Sequence, residues 1–248
     1  MPRVLHRILF LFILASVYSC PLRAQLSGSS DPGKDSLSDF IQMKYGLDQE
    51  LFNGYQYYTR YLKYKGDPFY PKDGFVEGSV SIRGTGYDHL SLKYNCFSQL
   101  LVLEYTDFQG RYNQLILNTA HIDSFRLGSG RFQKYSLVGN EPLFYQVLGT
   151  PEAGVYIHWK KMINATSDDL QYTHAYSRPL GTYYVSYRGQ IHPFTHRNSF
   201  LSVFPESMAA EIRKYMRKKR YSFRDASPGD WQSLLNHICL LEISFPEH

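Results

Sequence analysis

Two histidines four residues apart, His192 and His196, come nearest in this sequence to a metal-binding pair. On a helix both imidazoles would share one face, but Pro193 and the β-like context of this segment oppose a helix. On a strand the two side chains would stand roughly 13 Å apart, which is too far to share one ion. His121 and Asp123 form a second pair without an evident third ligand. We therefore predict no metal site and no cofactor, and we interpret these histidines as surface or hydrogen-bonding groups.

Motifs of nucleophilic catalysis and of phosphate-binding loops are missing. The chain has no Gly-x-Ser-x-Gly sequence, and Cys96 lacks the neighbours of a catalytic cysteine. The glycine pairs at 84–86 and 128–130 precede no predicted helix, so hairpin turns explain them better. The acidic residues are scattered, and a glycosidase acid pair would have to be assembled by the fold. We expect a non-enzymatic protein, with a glycan hydrolase as an alternative.

One segment, residues 211–220, is strongly basic. It carries six cations, which are Arg213, Lys214, Arg217, Lys218, Lys219 and Arg220. The interpretation we favour is the solvated face of an amphipathic helix, whose C-terminal end attracts cations. The alternative is contact of the first four cations with an anionic partner, such as lipid headgroups, lipopolysaccharide or an acidic polymer.

Residues 53–71 contain six tyrosines. The candidate binding residues here are Tyr55, Tyr57, Tyr58, Tyr61, Tyr64 and Phe69. Exposed tyrosine rings can stack on sugars or cover a protein partner. Because the whole chain has 22 Tyr and 16 Phe, we favour packing in the core and at sheet edges over a binding surface.

The N-terminus predicts export. Arg3 and Arg7 precede an uncharged apolar run, residues 8–18, that is shorter than the roughly 18–20 residues of a membrane span. We predict a signal peptide over residues 1–24 and a location in the periplasm or at the periphery of the outer membrane. Lipidation of Cys20 is the alternative, which would anchor the protein to a membrane.

Export has consequences for charge and for the cysteines. Loss of the three signal-peptide arginines from the formal net charge of +5 leaves +2, which argues against a nucleic-acid partner. We also expect no membrane-spanning segment. In an oxidising compartment Cys96 and Cys239 could form a disulfide. Two separately buried thiols are the interpretation that we favour.

Any of these side chains would be positioned mainly by β-strands. Nine short runs between residues 74 and 189 are rich in Val, Ile, Leu, Tyr and Phe and are bounded by turn residues. Several alternate between apolar and polar, as in Leu90, Leu92 and Tyr94, which is typical of antiparallel strands with one wet face. The sequence predicts a mainly β fold whose antiparallel sheet is curled, or folded into a sandwich or partial barrel.

Two helices are predicted to end the chain, at about 206–220 and 230–241. Met208, Ile212, Tyr215 and Met216 would pack the first, which Ser207 could cap. Trp231, Leu234, Leu235 and Ile238 would pack the second, after the start signal Ser227-Pro228. Residues 25–50 are expected to form a flexible leader that could hold a short helix, and residues 51–248 a single β-rich domain.

Several motifs occur in a fixed order along the chain. They are Asn53-Gly54-x-x-Tyr57, Gly66-Asp67-Pro68-Phe69, Gly78-Ser79-Val80, Tyr87 with Leu90-x-Leu92-x-Tyr94, and His121-Ile122-Asp123-Ser124-Phe125. With the signal peptide and the basic helix, this order resembles uncharacterised exported β-rich proteins of Bacteroidota-type bacteria. The resemblance implies an exported, single β-rich unit and no particular site residue.

The sequence therefore favours a non-enzymatic exported protein that acts as a binding or accessory module at the cell envelope. Its partner would be an envelope protein, a glycan or a lipid. A carrier that holds a lipid or another apolar ligand between sheet and helices is an alternative.

Overall fold

The computed structural model describes residues 48–58, 64–107, 109–137, 141–150, 153–166, 171–223 and 226–244. All of them belong to one compact unit, residues 46–248. The predicted signal peptide, Cys20, most of the predicted leader and Tyr61 lie outside these ranges.

Fifteen strands and three helices occupy the described residues. The strands are β1 (Tyr55–Gln56), β2 (Tyr64–Lys65), β3 (Phe69–Tyr70), β4 (Val76–Ile82), β5 (Thr85–Asn95), β6 (Leu100–Thr106), β7 (Tyr112–Ile116), β8 (Ile122–Leu127), β9 (Gly130–Tyr135), β10 (Leu143–Gly149), β11 (Ala153–Lys160), β12 (Ile163–Ala165), β13 (His174–Tyr176), β14 (Leu180–Tyr187) and β15 (Gln190–Phe194). The helices are α1 (Arg197–Leu201), α2 (Glu206–Lys218) and α3 (Pro228–Ser244).

Twelve strands form one antiparallel sheet. Its order is β1-β7-β6-β5-β4-β8-β9-β10-β11-β14-β15, and β3 pairs with β5 beside this path. Within the described ranges the sheet stays open, with β1 and β15 as its end strands. A small second sheet has the order β12-β13-β2. The predicted mainly β, antiparallel fold class is confirmed, and the nine runs found in the sequence are β4 to β11 and β14.

The large sheet consists of two meanders that meet at one seam, the pairing of β4 with β8. Gly78 of β4 stands opposite Leu127 there. A Cβ at Gly78 would collide with the carbonyl oxygen of Arg126, so the two backbones approach closely because this residue has no side chain. The ladder shifts register on both sides of β4, once towards β5 and once towards β8.

Alternating side chains fill both faces of the sheet. Leu92 and Tyr94 belong to a cluster with Phe125, Phe132 and Phe144, and none of these five is more than 4% exposed. On β6, Leu101 and Leu103 join this cluster, whereas Val102 belongs to another one with Phe69 and Ile116. The predicted alternation is therefore present, although here both faces of the strand are buried.

The helices pack on the other half of the sheet. Val155 and Ile157 of β11 and Val185 of β14 form one cluster with the predicted apolar stripes of α2 and α3. All four predicted core residues of α3 are buried, and so are Met208, Ile212 and Met216 of α2, whereas Tyr215 is half-buried. The C-terminal helix pair is confirmed. None of the helices among the described residues is long and apolar enough to cross a membrane.

The helix starts differ in how well they were predicted. The predicted start signal Ser227-Pro228 does lie at the start of α3, where Ser227 and Asp230 bond each other. The predicted cap at Ser207 is wrong, because α2 begins at Glu206 after Pro205, which has no side chain that can accept a hydrogen bond.

Candidate anion-binding site

The outer face of α2 is basic. Arg213, Lys214, Arg217 and Lys218 are all exposed. Lys214 lies 3.5 Å from a carboxylate oxygen of Glu211, whereas the other three form no ion pair within the described part of the chain. The packing stripe buries one side of α2. The opposite side of the helix faces solvent, and its positive charges outnumber the negative charges that pair with them.

The end of α2 adopts a tight capping turn. The backbone N–H of Tyr221 donates to the carbonyl of Met216 at 2.9 Å, and that of Arg220 donates to Arg217 at 3.1 Å. These two bonds define a Schellman turn, in which the residue after the cap is left-handed and usually glycine. Arg220 holds that place with φ of 51°. A long cationic side chain therefore stands where the backbone favours glycine.

A cleft of about 350 Å³ opens beside this turn. It lies between the end of α2 and the first turns of α3. The cleft is lined by Tyr215, Lys219, Arg220, Tyr221, Ser222, Ala226, Asp230 and Ser233. Most of these side chains are charged or carry a hydroxyl, so the cleft suits a polar ligand.

Two buried donors beneath the cleft lack a partner. Within the described ranges, the Tyr221 hydroxyl and Trp231 Nε1 are the buried side-chain polar atoms without a hydrogen bond. Their rings pack edge to face, with centroids 5.5 Å apart. Burial first, and then the charge of Asp230, raise the pKa of the Tyr221 hydroxyl far above its ordinary value. Tyr221 is therefore protonated, and its hydroxyl is enclosed by the fold.

Other polar groups of the cleft are already engaged. Asp230 Oδ2 accepts from the Ser227 hydroxyl at 2.7 Å and from its backbone N–H at 2.9 Å, and these bonds lower the pKa of the Asp230 carboxyl. The Tyr215 hydroxyl donates to the carbonyl of Ser233 at 3.4 Å. Lys219 and Arg220 form no ion pair with the described carboxylates. The charged groups that line the cleft without an ion pair to a described carboxylate are thus the cations Lys219 and Arg220.

The candidate tyrosine surface is dispersed in the structure. Phe69 is only 4% exposed and packs against Tyr57 at 6.2 Å between ring centroids. Tyr64 packs against His174 in the small sheet, at 4.9 Å. Tyr55 and Tyr58 are 59% and 68% exposed. Phe69 is therefore a core residue, and Tyr64 and Tyr55 belong to different sheets.

The two cysteines lie in different clusters and carry thiols, so no disulfide joins them. Cys96 is fully buried beside Leu92 and Tyr94, and its Sγ donates to the Pro68 carbonyl at 3.4 Å. Cys239 of α3 packs at the margin of the helix cluster. Burial raises the pKa of Cys96 to about 11, so it stays a protonated thiol at neutral pH.

The histidine pair is separated by its local structure. His192 lies on β15, whereas His196 caps α1, its Nδ1 accepting from the backbone N–H of Ser199 at 3.1 Å. Across the described ranges, no group of three or more His, Cys, Asp or Glu side chains could hold a metal ion.

One open cleft does contain two acids, Glu77 and Asp88. The side chain of Glu77 is 75% exposed and lies 2.8 Å from His89 Nδ1. A glycosidase acid needs a carboxyl kept protonated by a dry environment, and a strongly exposed carboxylate beside an imidazole does not meet that requirement.

Comparison with known proteins gives no relative, because no protein-family model, curated protein or solved structure matches the chain.

The sequence predicted the cations of α2 but missed the cleft beside them. Tyr221 and Trp231 were not singled out as site residues, although Trp231 was correctly placed in the core.

Proposed function

We propose that this chain is a non-enzymatic exported binding protein of the cell envelope, which contacts an anionic surface through the cations of α2. The observation that carries the proposal is the set of exposed cations on α2 that lack a carboxylate partner among the described residues, beside a cleft with two further cations.

Electrostatic contact fits the way in which α2 is packed. Its apolar stripe is buried on the sheet, so the helix has no exposed apolar face to insert among acyl chains. What remains for a partner is charge. Each Lys or Arg close to an anionic membrane surface contributes about 1 kcal/mol, and this attraction falls off within a Debye length. Binding should therefore weaken as salt is added.

The same observations favour a surface site over the two alternatives. Side chains fill both faces of the sheet, and the cleft beside α2 is open and polar, so a lipid held between sheet and helices has less support. The exposed pair of Glu77 and Asp88 gives little support to a glycan hydrolase.

The test measures co-sedimentation of the chain starting at residue 25 with phosphatidylcholine vesicles, with and without phosphatidylglycerol. Replacing Arg213, Arg217 and Lys218 by Gln removes about 3 kcal/mol of attraction, which corresponds to a loss of affinity of roughly a hundredfold.

The matched control replaces Lys72, Arg126 and Arg131 by Gln, because these exposed cations change the net charge equally and lie far from α2 in sequence. Equal losses for the two triple variants would mean a general charge effect and would refute a specific role for α2. Binding of the unaltered chain to neutral vesicles alone would refute the electrostatic proposal.

A further inference from the structure

The strand β5 carries a bulge near its middle. Between the pairings of Gly78 and Val80 of β4, the strand β5 has two residues where β4 has one. These two residues are Asp88 and His89, and His89 is left-handed, with φ of 55°. A bulge bends its strand and increases the local twist. The first half of β5 therefore turns away from the direction of the second half.

Beside this bend, β5 and β6 separate into a fork. The two strands pair only over residues 91–95 and 100–104. Residues 85–90 lie beside β4 alone, and Tyr105 and Thr106 pair with β7 alone. The edge of β5 that faces the fork thus has no strand partner in the described part of the chain. Most of its residues are exposed, namely Thr85, Gly86, Asp88 and His89.

A cleft of about 280 Å³ lies at the fork. Residues of both strands line it, among them Leu90, Leu103 and Tyr105. Phe52 also lines the cleft and packs edge to face on Tyr105, with ring centroids 4.9 Å apart. The cleft is smaller than the roughly 300–1,000 Å³ of small-molecule pockets. Its size and its apolar walls suit one aliphatic side chain.

Carboxylates stand on the opposite face of the sheet. Glu77, Ser91 and Glu104 lie directly opposite one another on β4, β5 and β6, so their side chains share one face. Glu77 pairs with His89 at 2.8 Å. Glu104 accepts from the Ser91 hydroxyl at 3.4 Å and forms no ion pair with a described cation. Its neighbour Leu103 points to the other face. A strand in the fork would therefore meet apolar walls on one face and a carboxylate on the other.

We propose that the fork between β5 and β6 binds an extended polypeptide segment of another protein, which adds a strand to the free edge of β5. Main-chain hydrogen bonds to this edge provide affinity, and pockets for alternate side chains provide specificity. An aliphatic side chain of the segment enters the cleft, and the basic residue next to it faces Glu104, because successive side chains of a strand point to opposite faces. The partner segment is one in which aliphatic and basic residues alternate. The helices pack on β11 and β14, so this surface is distinct from the cations of α2 and the inference goes beyond the proposed function.

The test uses the chain starting at residue 25 and the fluorescein-labelled heptapeptide amide Lys-Val-Arg-Leu-Lys-Val-Thr, with binding followed by fluorescence anisotropy. Two isomers of this peptide carry N-methyl groups on the second and fourth residues or on the third and fifth. A strand presents alternate amides to its two edges, so one isomer loses the bonds to β5 and the other keeps them. The first should bind about tenfold more weakly than the unmethylated peptide, and the second within about threefold. Failure of the unmethylated peptide to bind, or equal effects of the two isomers, would overturn strand addition.

Hydrogen exchange of the backbone amides locates the bound peptide. The peptide should slow exchange in residues 85–90 and in Tyr105 and Thr106. The end strand β15 is the internal control, because it too has an edge without a strand partner in the described ranges. Equal protection of β15 would mean pairing with any free edge and would overturn a specific site at the fork. Protection of residues 85–90 that grows with protein concentration in the absence of peptide would assign the fork to a second copy of the chain and overturn a separate partner.

Glu104→Gln tests the charge that the fork presents. This variant keeps an oxygen for the Ser91 bond and should weaken peptide binding about threefold, the effect of a partly exposed ion pair. Glu141→Gln is the matched control, because Glu141 is exposed, lies before β10 and changes the net charge equally. Equal losses for the two variants would refute the role of Glu104.

The triple variant of α2 separates this inference from the proposed function. It removes cations far from the fork in sequence, so it should bind the basic peptide at least as tightly as the unaltered chain while vesicle binding is lost. Peptide binding without vesicle binding in the unaltered chain keeps the fork and refutes the anionic surface. Loss of peptide binding in the triple variant would place the peptide on α2 and overturn the fork.

Discussion

Replacing Arg220 by glycine is expected to stabilise the fold. A residue with a side chain in the left-handed conformation costs about 1–2 kcal/mol, and Arg220 has φ of 51°. The greater freedom of glycine in the unfolded chain offsets about 0.5–1 kcal/mol of that gain. The attraction between an exposed cation and the negative helix end, about 0.3 kcal/mol, is also lost. The net result is a gain of roughly 0.5 kcal/mol in the free energy of unfolding.

The assay is equilibrium unfolding in urea, with Arg213→Gly as the matched variant. Arg213 lies inside α2 and has helical geometry, so glycine there should lower the free energy of unfolding by about 1 kcal/mol. The two variants have the same composition and net charge, and they should differ by about 1.5 kcal/mol. If Arg220→Gly proved as destabilising as Arg213→Gly, the capping turn would not be under strain.

Three further outcomes are expected. Cys96 should react with a thiol reagent at pH 8 only as fast as the protein unfolds, because the thiol is buried and its pKa is about 11. Rapid labelling of Cys96 in the folded protein, seen by peptide mapping, would contradict this. Asp67→Ala should lower the free energy of unfolding by about 3 kcal/mol. The substitution leaves the ammonium of Lys161, which lies 2.9 Å from Asp67 Oδ1 and is 7% exposed, without its carboxylate. A loss below about 1 kcal/mol in urea unfolding would show that Lys161 finds water instead. Asp230→Ala should be destabilising at pH 7 and progressively less so below about pH 4. The pKa of Asp230 is lowered in the fold, so its contribution to stability is present above the unfolded-state pKa and is lost as the carboxyl protonates. A difference in melting temperature between the variant and the unaltered chain that is independent of pH would refute this.

Regular strands were predictable because their side chains alternate over five or more residues. The missed strands lack that signal. Five of them, β1, β2, β3, β12 and β13, have two or three residues each, and pairing with distant strands defines them rather than their own sequence. The strand β15 was not among the nine predicted runs, and it contains Pro193, which lacks an N–H. This is tolerated since β15 is an end strand of the sheet.

The candidate site was only partly predictable. Cations on a helix are visible in the sequence, because composition and spacing alone indicate an exposed basic face. Whether a buried hydroxyl has a partner depends on side chains that are distant in the chain, and Tyr221 is surrounded by Trp231, Phe223 and residues of the sheet. The tyrosine segment shows the opposite case, in which Tyr55 and Tyr64 are close in sequence but belong to different sheets.

The seam between the two meanders constrains the order in which the chain can fold. Seven of the other ten pairings in the large sheet join strands that are neighbours in sequence, so most of each meander can form through short loops. One edge of β4 stays unpaired until β8 forms, and β8 follows β5, β6 and β7 in the chain. During that interval its edge could pair with a strand from another molecule. Gly78→Ala, by obstructing the approach to Arg126, should prolong this interval and make refolding yield fall with protein concentration.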